Sequence, residues 1–415
     1  MRTAIRSGVD GEPTQTTLSG RDIICLARRS WHSPWKNNQQ LMSRLAQTNR
    51  VLYVGPPPSL RTALGEIRAR APRGPILERH GSMLYVYQAP RPLAKSRISR
   101  PFNWITERLR LSHVHQLARR LGFRSPILWI FDPMLSDAVG TFGEKLVIYH
   151  VIDNYVECLP STAVGLRRIV AKNEERMLRR ADIVFAVSHT LHQRCLQYNR
   201  NSYLVPNGVD YSLFRQSTER PAIPSDVQSI PKPIIGYVGV IEANMNVALL
   251  QRIADAHPEW SLMLVGPAEL ADRSRLDALL RRSNVFHLGF KPVDEIPSYI
   301  KCCDVCIMPD DERTDGDSLK LYEYLACGRP VVCLTDDPSV RRFKPLVRIA
   351  HDASDFVRCI RDSLQEDPSL ASARMEAAQE NSWTARVNVL SEVIIGHLSV
   401  GDRQPSSSNF KLTQR

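Results

Sequence analysis

The sequence lacks any long apolar run. No stretch approaches the roughly 20 consecutive apolar residues that a membrane-spanning helix needs, and residues 1–20 contain no apolar core of the kind that signal peptides have. We therefore expect a cytoplasmic protein whose residues 1–20 form a flexible tail. Nine scattered cysteines, an odd number, form no recognisable disulfide framework, which also favours a reducing compartment.

A complete set of cysteine zinc ligands is missing as well. Cys303 and Cys306 have C-x-x-C spacing and Cys302 adjoins them, but no second pair completes a zinc site. The three residues run into an apolar segment. We therefore interpret them as small buried hydrophobic residues.

Acidic residues are scarce in the first third of the chain. Between Arg21 and Ile130 there are 20 Lys and Arg but only 4 Asp and Glu. Such a basic region can contact nucleic acid, anionic lipid headgroups or phosphorylated substrates. No nucleic-acid-binding module is recognisable, so we expect no nucleic acid partner and predict contact with an anionic membrane surface. General solubility is the alternative explanation of the charge.

The length of the chain, 415 residues, exceeds what one hydrophobic core usually holds, so we expect two domains. In both halves, short apolar runs alternate with segments of helical periodicity, which predicts two doubly wound α/β domains. The predicted divisions are a tail (1–20), an N-terminal domain (21–210), an irregular linker (211–233), a C-terminal domain (234–380), a helix that returns to the first domain (381–400) and a disordered tail (401–415).

Two loops of the first half follow predicted strands, where open α/β sheets bind ligands. The loop after the first strand contains Trp31, His32 and Trp35, which either meet an acceptor or pack within the loop. Asp153 follows the predicted strand Leu146–Val151, and its position makes it a candidate for a site. His150, inside that strand, is interpreted as a core residue.

The segment Asp315–Cys333, D-G-D-S-L-K-L-Y-E-Y-L-A-C-G-R-P-V-V-C, reads as a loop, a helix and a buried strand. Ser318 is expected to cap the helix, and Gly328 is expected to end it. The amino terminus of a helix beside Lys320 is suited to a diphosphate. Glu323 is one turn further along the same face, where it can accept hydrogen bonds from ribose hydroxyls. An ordinary capped surface helix is the alternative.

The same segment, together with A-D-I-V-F-A-V-S and V-P-N-G-V-D in the first half, resembles the GT-B glycosyltransferases of family four. The resemblance covers Arg21 to Leu398. Together with W-H-S-P-W and Y-H-V-I-D-N-Y, it looks closest to enzymes of teichuronic acid, capsule and exopolysaccharide biosynthesis. It implies a GT-B fold, in which two Rossmann-like domains face a cleft, with acceptors on the first and the nucleotide sugar on the second.

The resemblance also assigns roles to residues of the second domain. Asp315 is expected to contact the donor sugar, Lys320 the phosphates and Glu323 the nucleotide ribose. The remaining candidates for donor binding are Gly239 at the end of the first predicted strand of this domain, Ser318 and Leu319 before and in the helix, and the base-pocket turn Gly289, Phe290 and Lys291.

The chain departs from the family pattern in one loop. Many family-four enzymes carry an Arg and a Lys after the first strand of the second domain, but residues 239–246 here contain no basic residue. We expect Lys320, the helix terminus, and Lys291 or an arginine of the basic domain to balance the leaving diphosphate. Asp315 and Asp317 form a D-x-D, which binds a metal in the unrelated GT-A fold. The two-domain pattern favours GT-B, so no metal and no cofactor beyond the donor substrate are expected.

The expected activity is transfer of a hexosyl group from a nucleoside-diphosphate sugar to a lipid-linked or glycan acceptor in cell-surface polysaccharide biosynthesis. If the reaction inverts the anomeric centre, Asp153 is the candidate base. If it retains that configuration, as is commoner in the family, Asp153 would orient the acceptor. The alternatives are a non-catalytic GT-B scaffold and an epimerase or hydrolase that acts on the nucleotide sugar. A peripheral position on the inner face of the membrane is expected.

Overall fold

The apolar runs of the first half become the strands of one large sheet. A computed structural model describes residues 17–69, 76–95, 100–219, 223–270, 273–310 and 316–401. Eight strands lie in the order β3-β4-β2-β1-β5-β6-β7-β8, and all neighbours are parallel except β3 and β4. The strands are β1 (Asp22–Leu26), β2 (Arg50–Val54), β3 (Leu77–His80), β4 (Leu84–Tyr87), β5 (Ile127–Ile130), β6 (Leu146–Val151), β7 (Ile183–Ala186) and β8 (Ser202–Leu204).

Helices cover both faces of this sheet. Alternate residues of a strand face opposite sides, so Ile24 and Leu26 join one apolar cluster while Ile23 and Cys25 join the other. The helices are α1 (Asn37–Leu45), α2 (Leu60–Arg68), α3 (Arg100–Arg120), α4 (Val164–Arg180) and α5 (His189–Leu196), with 3-10 turns at Arg91–Leu93 and Pro133–Ala138. His150 lies in this core, stacked on Trp129 and Phe131, and burial lowers its pKa to about 3.

The second half forms a six-stranded parallel sheet in the order β11-β10-β9-β12-β13-β14. This order reverses between β9 and β12, the arrangement that leaves a ligand crevice at the carboxyl ends of an open sheet. The strands are β9 (Ile234–Val238), β10 (Ser261–Val265), β11 (Val285–Gly289), β12 (Val305–Met308), β13 (Val331–Cys333) and β14 (Arg348–Ile349). The helices are α6 (Tyr211–Glu219), α7 (Val247–Ala256), α8 (Ser274–Leu279), α9 (Ile296–Cys302), α10 (Leu319–Ala326), α11 (Pro338–Arg341), α12 (Ala353–Leu364) and α13 (Leu370–Glu380).

Two parallel sheets, each covered by helices, confirm the predicted GT-B class. The prediction of an irregular linker over 211–233 is wrong, because the segment begins with α6. Phe214 of that helix is buried in the core of the second domain, as are Val227 and Ile230 beyond it. Polar residues and prolines obscure the few apolar side chains that hold this segment to the domain. The strand β3 and the helix α2 were not predicted.

The last helix, α14 (Trp383–Gly401), leaves the second domain and packs on the first. Its buried residues Trp383, Leu390 and Ile394 belong to the same apolar cluster as α1, and each such side chain contributes roughly 1.5–3 kcal/mol by burial. The other crossing between the domains, which comes earlier in the chain, is at Val209. Its N–H donates to the Asn381 carbonyl at 3.2 Å, and its carbonyl accepts from the Trp383 N–H at 3.0 Å.

Candidate functional site

The candidate site lies where α10 of the second domain meets loops of the first. Asp315 lies outside the described residues, so its predicted contact with the donor sugar stays a prediction. Ser318 occupies the N-cap position of α10, as the sequence predicts, but its side chain makes no capping hydrogen bond within the described part of the chain. A helix terminus that no side chain caps keeps N–H groups available for an anion. Leu319, the first residue of α10, packs against the core of the first domain.

Lys320 points back to the end of β9. Its ammonium donates to the Tyr237 hydroxyl at 2.8 Å and lies 3.9 Å from the Asp310 carboxylate. Burial opposes its charge, but Tyr237, Asp310 and Glu242 together outweigh that effect and raise its pKa. The side chain crosses Gly239 so closely that a Cβ atom there would lie 2.7 Å from the Lys320 Cε. Glycine at this position therefore leaves room for the lysine at the mouth of the crevice.

Glu323 lies one turn after Lys320. Burial raises the pKa of its carboxyl group to about 7, and the charges of Lys320 and Lys36 offset part of that increase. Within the described residues its side chain forms no hydrogen bond. A half-buried carboxylate without an intramolecular partner is suited to accept hydrogen bonds from a ligand.

Lys36, which precedes α1 in the first domain, approaches the same place. Its side chain is exposed, but local desolvation lowers its pKa, as do the charges of Arg29 and Lys320, while Glu242 and Asp153 act in the opposite direction. Lys36 thus lies within electrostatic reach of acidic and basic groups of both domains. The sequence did not single it out, because it is one of many basic residues there.

Asp153, at the end of β6, is exposed and accepts a hydrogen bond from the Asn154 N–H at 2.9 Å. The loop after β1 is anchored by Trp31, which is buried and packs on Tyr53 and Trp35 with ring centroids 5.0 and 4.9 Å away. Packing within the loop therefore explains Trp31. Trp35 is itself 41% exposed and offers an aromatic face at this edge of the sheet.

The turn after β11 is further from Lys320 along the sheet edge. Gly289 accepts a hydrogen bond from the Gly266 N–H, and Gly239 donates to Val265 at the neighbouring strand end. Phe290 is exposed. Lys291 forms an ion pair with Asp226 at 2.6 Å and lies over the Tyr299 ring. Asp226 already balances the charge of the Lys291 ammonium, so cations other than Lys291 are better candidates to bind a diphosphate.

Asp317 joins the two domains. Its carboxylate accepts hydrogen bonds from the Asn207 N–H at 2.7 Å and the Tyr322 hydroxyl at 2.6 Å, and it lies 3.6 Å from Arg342. Burial raises the pKa of Asp317 to about 6, although Arg342, Tyr322 and Asn207 oppose that shift. The second acid of the D-x-D is therefore occupied by protein groups.

Asn207 completes this network from the first domain. Its side-chain amide donates to the Asp317 carbonyl at 2.7 Å and accepts from the Asn37 amide at 3.0 Å. Its own carbonyl accepts from Arg386 of α14 at 3.0 Å. The sequence indicated only a turn at V-P-N-G, whereas the structure places Asn207 at the junction of both domains and the last helix.

Comparison with known proteins agrees with this geometry. Residues 232–366 match the family model described as glycosyl transferases group 1. The teichuronic acid biosynthesis glycosyltransferase TuaH of Bacillus subtilis is 31% identical over 232 residues, which cover 53% of this chain and 58% of TuaH. A 2-deoxystreptamine glucosyltransferase of Streptomyces kanamyceticus is 26% identical over 44% of this chain and 49% of its own length. The chain thus spans about half the length of the curated relatives it matches.

Solved structures match nearly the whole chain. Sucrose-phosphate synthase from Thermosynechococcus elongatus superposes with a TM-score of 0.68 and 17% identity, over 92% of this chain and 100% of that one. Anabaena HepE, in complex with UDP and glucose, superposes with a TM-score of 0.62 and 15% identity over 91% and 100%. The resemblance noted in the sequence is confirmed: the chain has the GT-B fold, and residues 232–366 of its second domain match the group 1 glycosyl transferases.

Proposed function

We propose that the protein transfers a sugar from a nucleoside-diphosphate sugar to a lipid-linked or glycan acceptor in cell-surface polysaccharide biosynthesis. The observation that carries the proposal is the pairing of Lys320 with Glu323 on the first turns of α10, at the crevice of the second sheet. A cation beside a helix amino terminus fits phosphates, and a carboxylate with no partner among the described residues fits ribose hydroxyls. The relative named for teichuronic acid biosynthesis supports the acceptor class.

In this proposal the two domains share the donor. Lys320 contacts the diphosphate, Glu323 the ribose and Asp315 the sugar, while the turn from Gly289 to Lys291 lies at the base. The loop after β9 has no basic residue, so we assign the second diphosphate cation to Lys36 of the first domain. Charge on the leaving nucleotide is then balanced by two ammonium groups from opposite domains, and the donor serves as a substrate without a further cofactor.

The acceptor is assigned to the first domain. Trp35 provides an exposed aromatic face and Asp153 a carboxylate, both at the carboxyl edge of the first sheet. Asp153 takes the acceptor proton if the reaction inverts the anomeric centre and orients the acceptor if the reaction retains it. Approach of the two domains around the donor would exclude water and suppress its hydrolysis. The predicted cytoplasmic position at a membrane surface stays part of this proposal.

A non-catalytic scaffold remains the second candidate, and the absent basic pair after β9 favours it. A scaffold needs no cluster of charges in a cleft, however, and Lys36, Lys320, Glu323 and Asp153 form one. The two candidates differ in whether any nucleotide binds.

Binding of UDP, GDP, ADP and dTDP, measured by thermal shift, tests the proposal. A ligand that binds only the folded state raises its melting temperature, and we expect one nucleotide to do so. Since HepE was solved with UDP, UDP is the first to test. Glu323→Ala should weaken binding at least about tenfold, because it removes acceptors from the ribose.

Glu392→Ala, which changes an exposed carboxylate on α14, serves as the matched control and should bind like the wild type. Absence of a shift with every nucleotide at millimolar concentration would support the scaffold instead.

The affinity for the nucleotide should depend on pH through Glu323. Its pKa is about 7 in the free protein, and only the ionised form accepts hydrogen bonds with both oxygens. Nucleotide affinity should therefore rise as pH increases from 6 to 8, by up to about tenfold as the carboxylate becomes ionised. Calorimetric titration of wild type and Glu323→Gln across this range measures it. The same pH dependence in the variant would assign it to another group.

A further inference from the structure

The helix α2 turns its apolar side to solvent. Leu60, Leu64 and Ile67 follow one another at the spacing of a single helix face, and they are 38%, 45% and 55% exposed. Only Ala63 among the described side chains of this helix is buried. An amphipathic helix normally packs its apolar face on the core, but within the described residues Leu60, Leu64 and Ile67 join none of the apolar clusters.

The start of α3 also exposes large apolar side chains. Trp104, Ile105 and Leu109 are each at least half exposed, and Phe102 precedes them with 38% of its surface exposed. The guanidinium of Arg108 lies 4.7 Å from the centre of the Trp104 ring. The buried residues of this turn, Thr106 and Arg110, are on the opposite side.

The two helices meet the same connecting segment. Lys95 accepts a hydrogen bond from the Leu60 N–H at 2.8 Å with its carbonyl, and its ammonium lies 3.6 Å from Glu107 of α3. Arg110 of α3 donates to the Gly55 carbonyl at 3.2 Å, just after β2. The exposed residues of α2 and the start of α3 thus flank one junction, and we call them the α2–α3 surface. They comprise seven of the twenty large apolar side chains that are exposed in the described part of the chain.

The charge around this surface has one dominant sign. Residues 56–124 contain fourteen Lys and Arg but three Asp and Glu. Arg61 and Arg68, both exposed, lie along one edge of the apolar face of α2. Of the acids, Glu107 is paired with Lys95 and Arg110. Apolar side chains that include a tryptophan, bordered by arginines, are typical of segments that lie in the interface of an anionic bilayer.

We propose that the α2–α3 surface docks the protein on an anionic membrane. The α2 helix begins soon after the end of β2, at the same edge of the parallel sheet as Trp35 and Asp153. Docking there would bring the acceptor side of the cleft to the lipid surface. The choice of a membrane as the partner rests on the proposed function, because the proposed acceptor is made at a membrane. The observation that the surface is exposed does not depend on that function. None of the helices within the described residues has the length and hydropathy of a membrane span, so attachment through this surface would be peripheral.

Flotation with lipid vesicles tests the proposal on the full chain without donor or acceptor. We expect binding to mixed phosphatidylcholine–phosphatidylglycerol vesicles and at least about tenfold weaker binding to pure phosphatidylcholine. The triple variant Leu64→Ser, Trp104→Ser, Leu109→Ser should lose at least about tenfold in affinity for the mixed vesicles, since it removes three inserted side chains. Its matched control is Leu196→Ser, Leu204→Ser, Val389→Ser, three exposed apolar residues outside both helices, which should bind like the wild type.

Two further measurements separate the outcomes. Arg61→Glu with Arg68→Glu should reduce the preference for anionic lipid, and Trp104→Phe should remove the blue shift of tryptophan fluorescence on binding while binding persists. Equal vesicle binding by the triple variant and its control would overturn the proposal. The proposal would also be overturned if the wild type bound no vesicles but self-associated, and the triple variant abolished that self-association. The surface would then be assigned to a second copy of the chain.

Nucleotide binding by the triple variant keeps this test distinct from that of the proposed function. An unchanged thermal shift shows that the variant is folded and that its donor site is intact. If the wild-type protein bound vesicles but no nucleotide, the proposed membrane surface would stand and the proposed transferase function would be rejected.

Discussion

Replacing Lys320 with alanine should lower kcat for sugar transfer by about 10²–10³-fold, the effect expected when one fixed group that stabilises developing charge is lost. Lys320 is the cation that the second domain places at its crevice, and its contacts with Tyr237 and Asp310 hold the ammonium in position before the donor arrives. A charge that is already oriented needs no rearrangement as negative charge develops on the departing phosphate. Steady-state kinetics with the donor that the nucleotide screen identifies measures this effect.

Lys36→Ala should lower kcat by a smaller factor, because the first domain must approach before that lysine reaches the diphosphate. Lys232→Ala is the control, since its ammonium pairs with Asp304 on the surface, and it should retain wild-type kinetics. If Lys320→Ala retained the wild-type kcat, the diphosphate would have to be bound elsewhere, and the proposed orientation of the donor would be wrong.

Replacing Asp317 with alanine should lower the free energy of unfolding by about 3–5 kcal/mol, the usual result of removing one partner from a buried charged network. The change leaves the Asn207 N–H and the Tyr322 hydroxyl without their acceptor and removes the ion-pair partner of Arg342. Because Asn207 also binds Asn37 and Arg386, the loss affects the junction of both domains with α14. Urea unfolding followed by circular dichroism measures it, provided that both domains unfold in one transition.

Asp336→Ala is the matched control. It also removes a carboxylate that is paired with an arginine, Arg341, but this pair lies on the surface, so the free energy of unfolding should hardly change.

The pH dependence of stability offers a second check. Burial raises the pKa of Asp317 to about 6, above roughly 3.9 in the unfolded chain. The folded state therefore binds more protons between these values, and the contribution of Asp317 to stability falls as pH rises from about 4 to 6. Asp317→Asn should remove this component; if it does not, the carboxyl group is not the one that titrates.

The sequence predicted the parts of the fold that depend on local pattern. Strands such as β6 and β10 are fully buried and, apart from His150 and Ser261, consist of apolar residues, a pattern that is visible without any knowledge of their neighbours. The helix α10 was predicted from its spacing and from Gly328. By contrast, α2 was missed because its apolar face meets solvent, and α6 was missed because few apolar residues attach it to the second domain.

The candidate site was predictable only where one segment carries it. Lys320 and Glu323 are three positions apart on one helix, so their common face follows from helical geometry. Lys36 and Asn207 are separated from α10 by more than a hundred residues, and their approach depends on how the two domains pack. Because residues 239–246 contain no basic residue, the sequence suggested Lys291 or an arginine of the basic domain as a further cation, whereas the structure pairs Lys291 with Asp226 and brings Lys36 near Lys320.

The paired crossings at Val209 and Asn381–Trp383 also limit how the domains can move. The two connecting segments lie side by side and hydrogen-bond to each other, so they act as one narrow hinge instead of two separate tethers. Rotation about an axis through this pair opens or closes the cleft without stretching either segment. A sliding or twisting motion would pull one crossing away from the other and break those hydrogen bonds. Gly208, where a Cβ atom would lie 2.8 Å from the Asn381 carbonyl oxygen, lets the two segments pass close enough to form this pair.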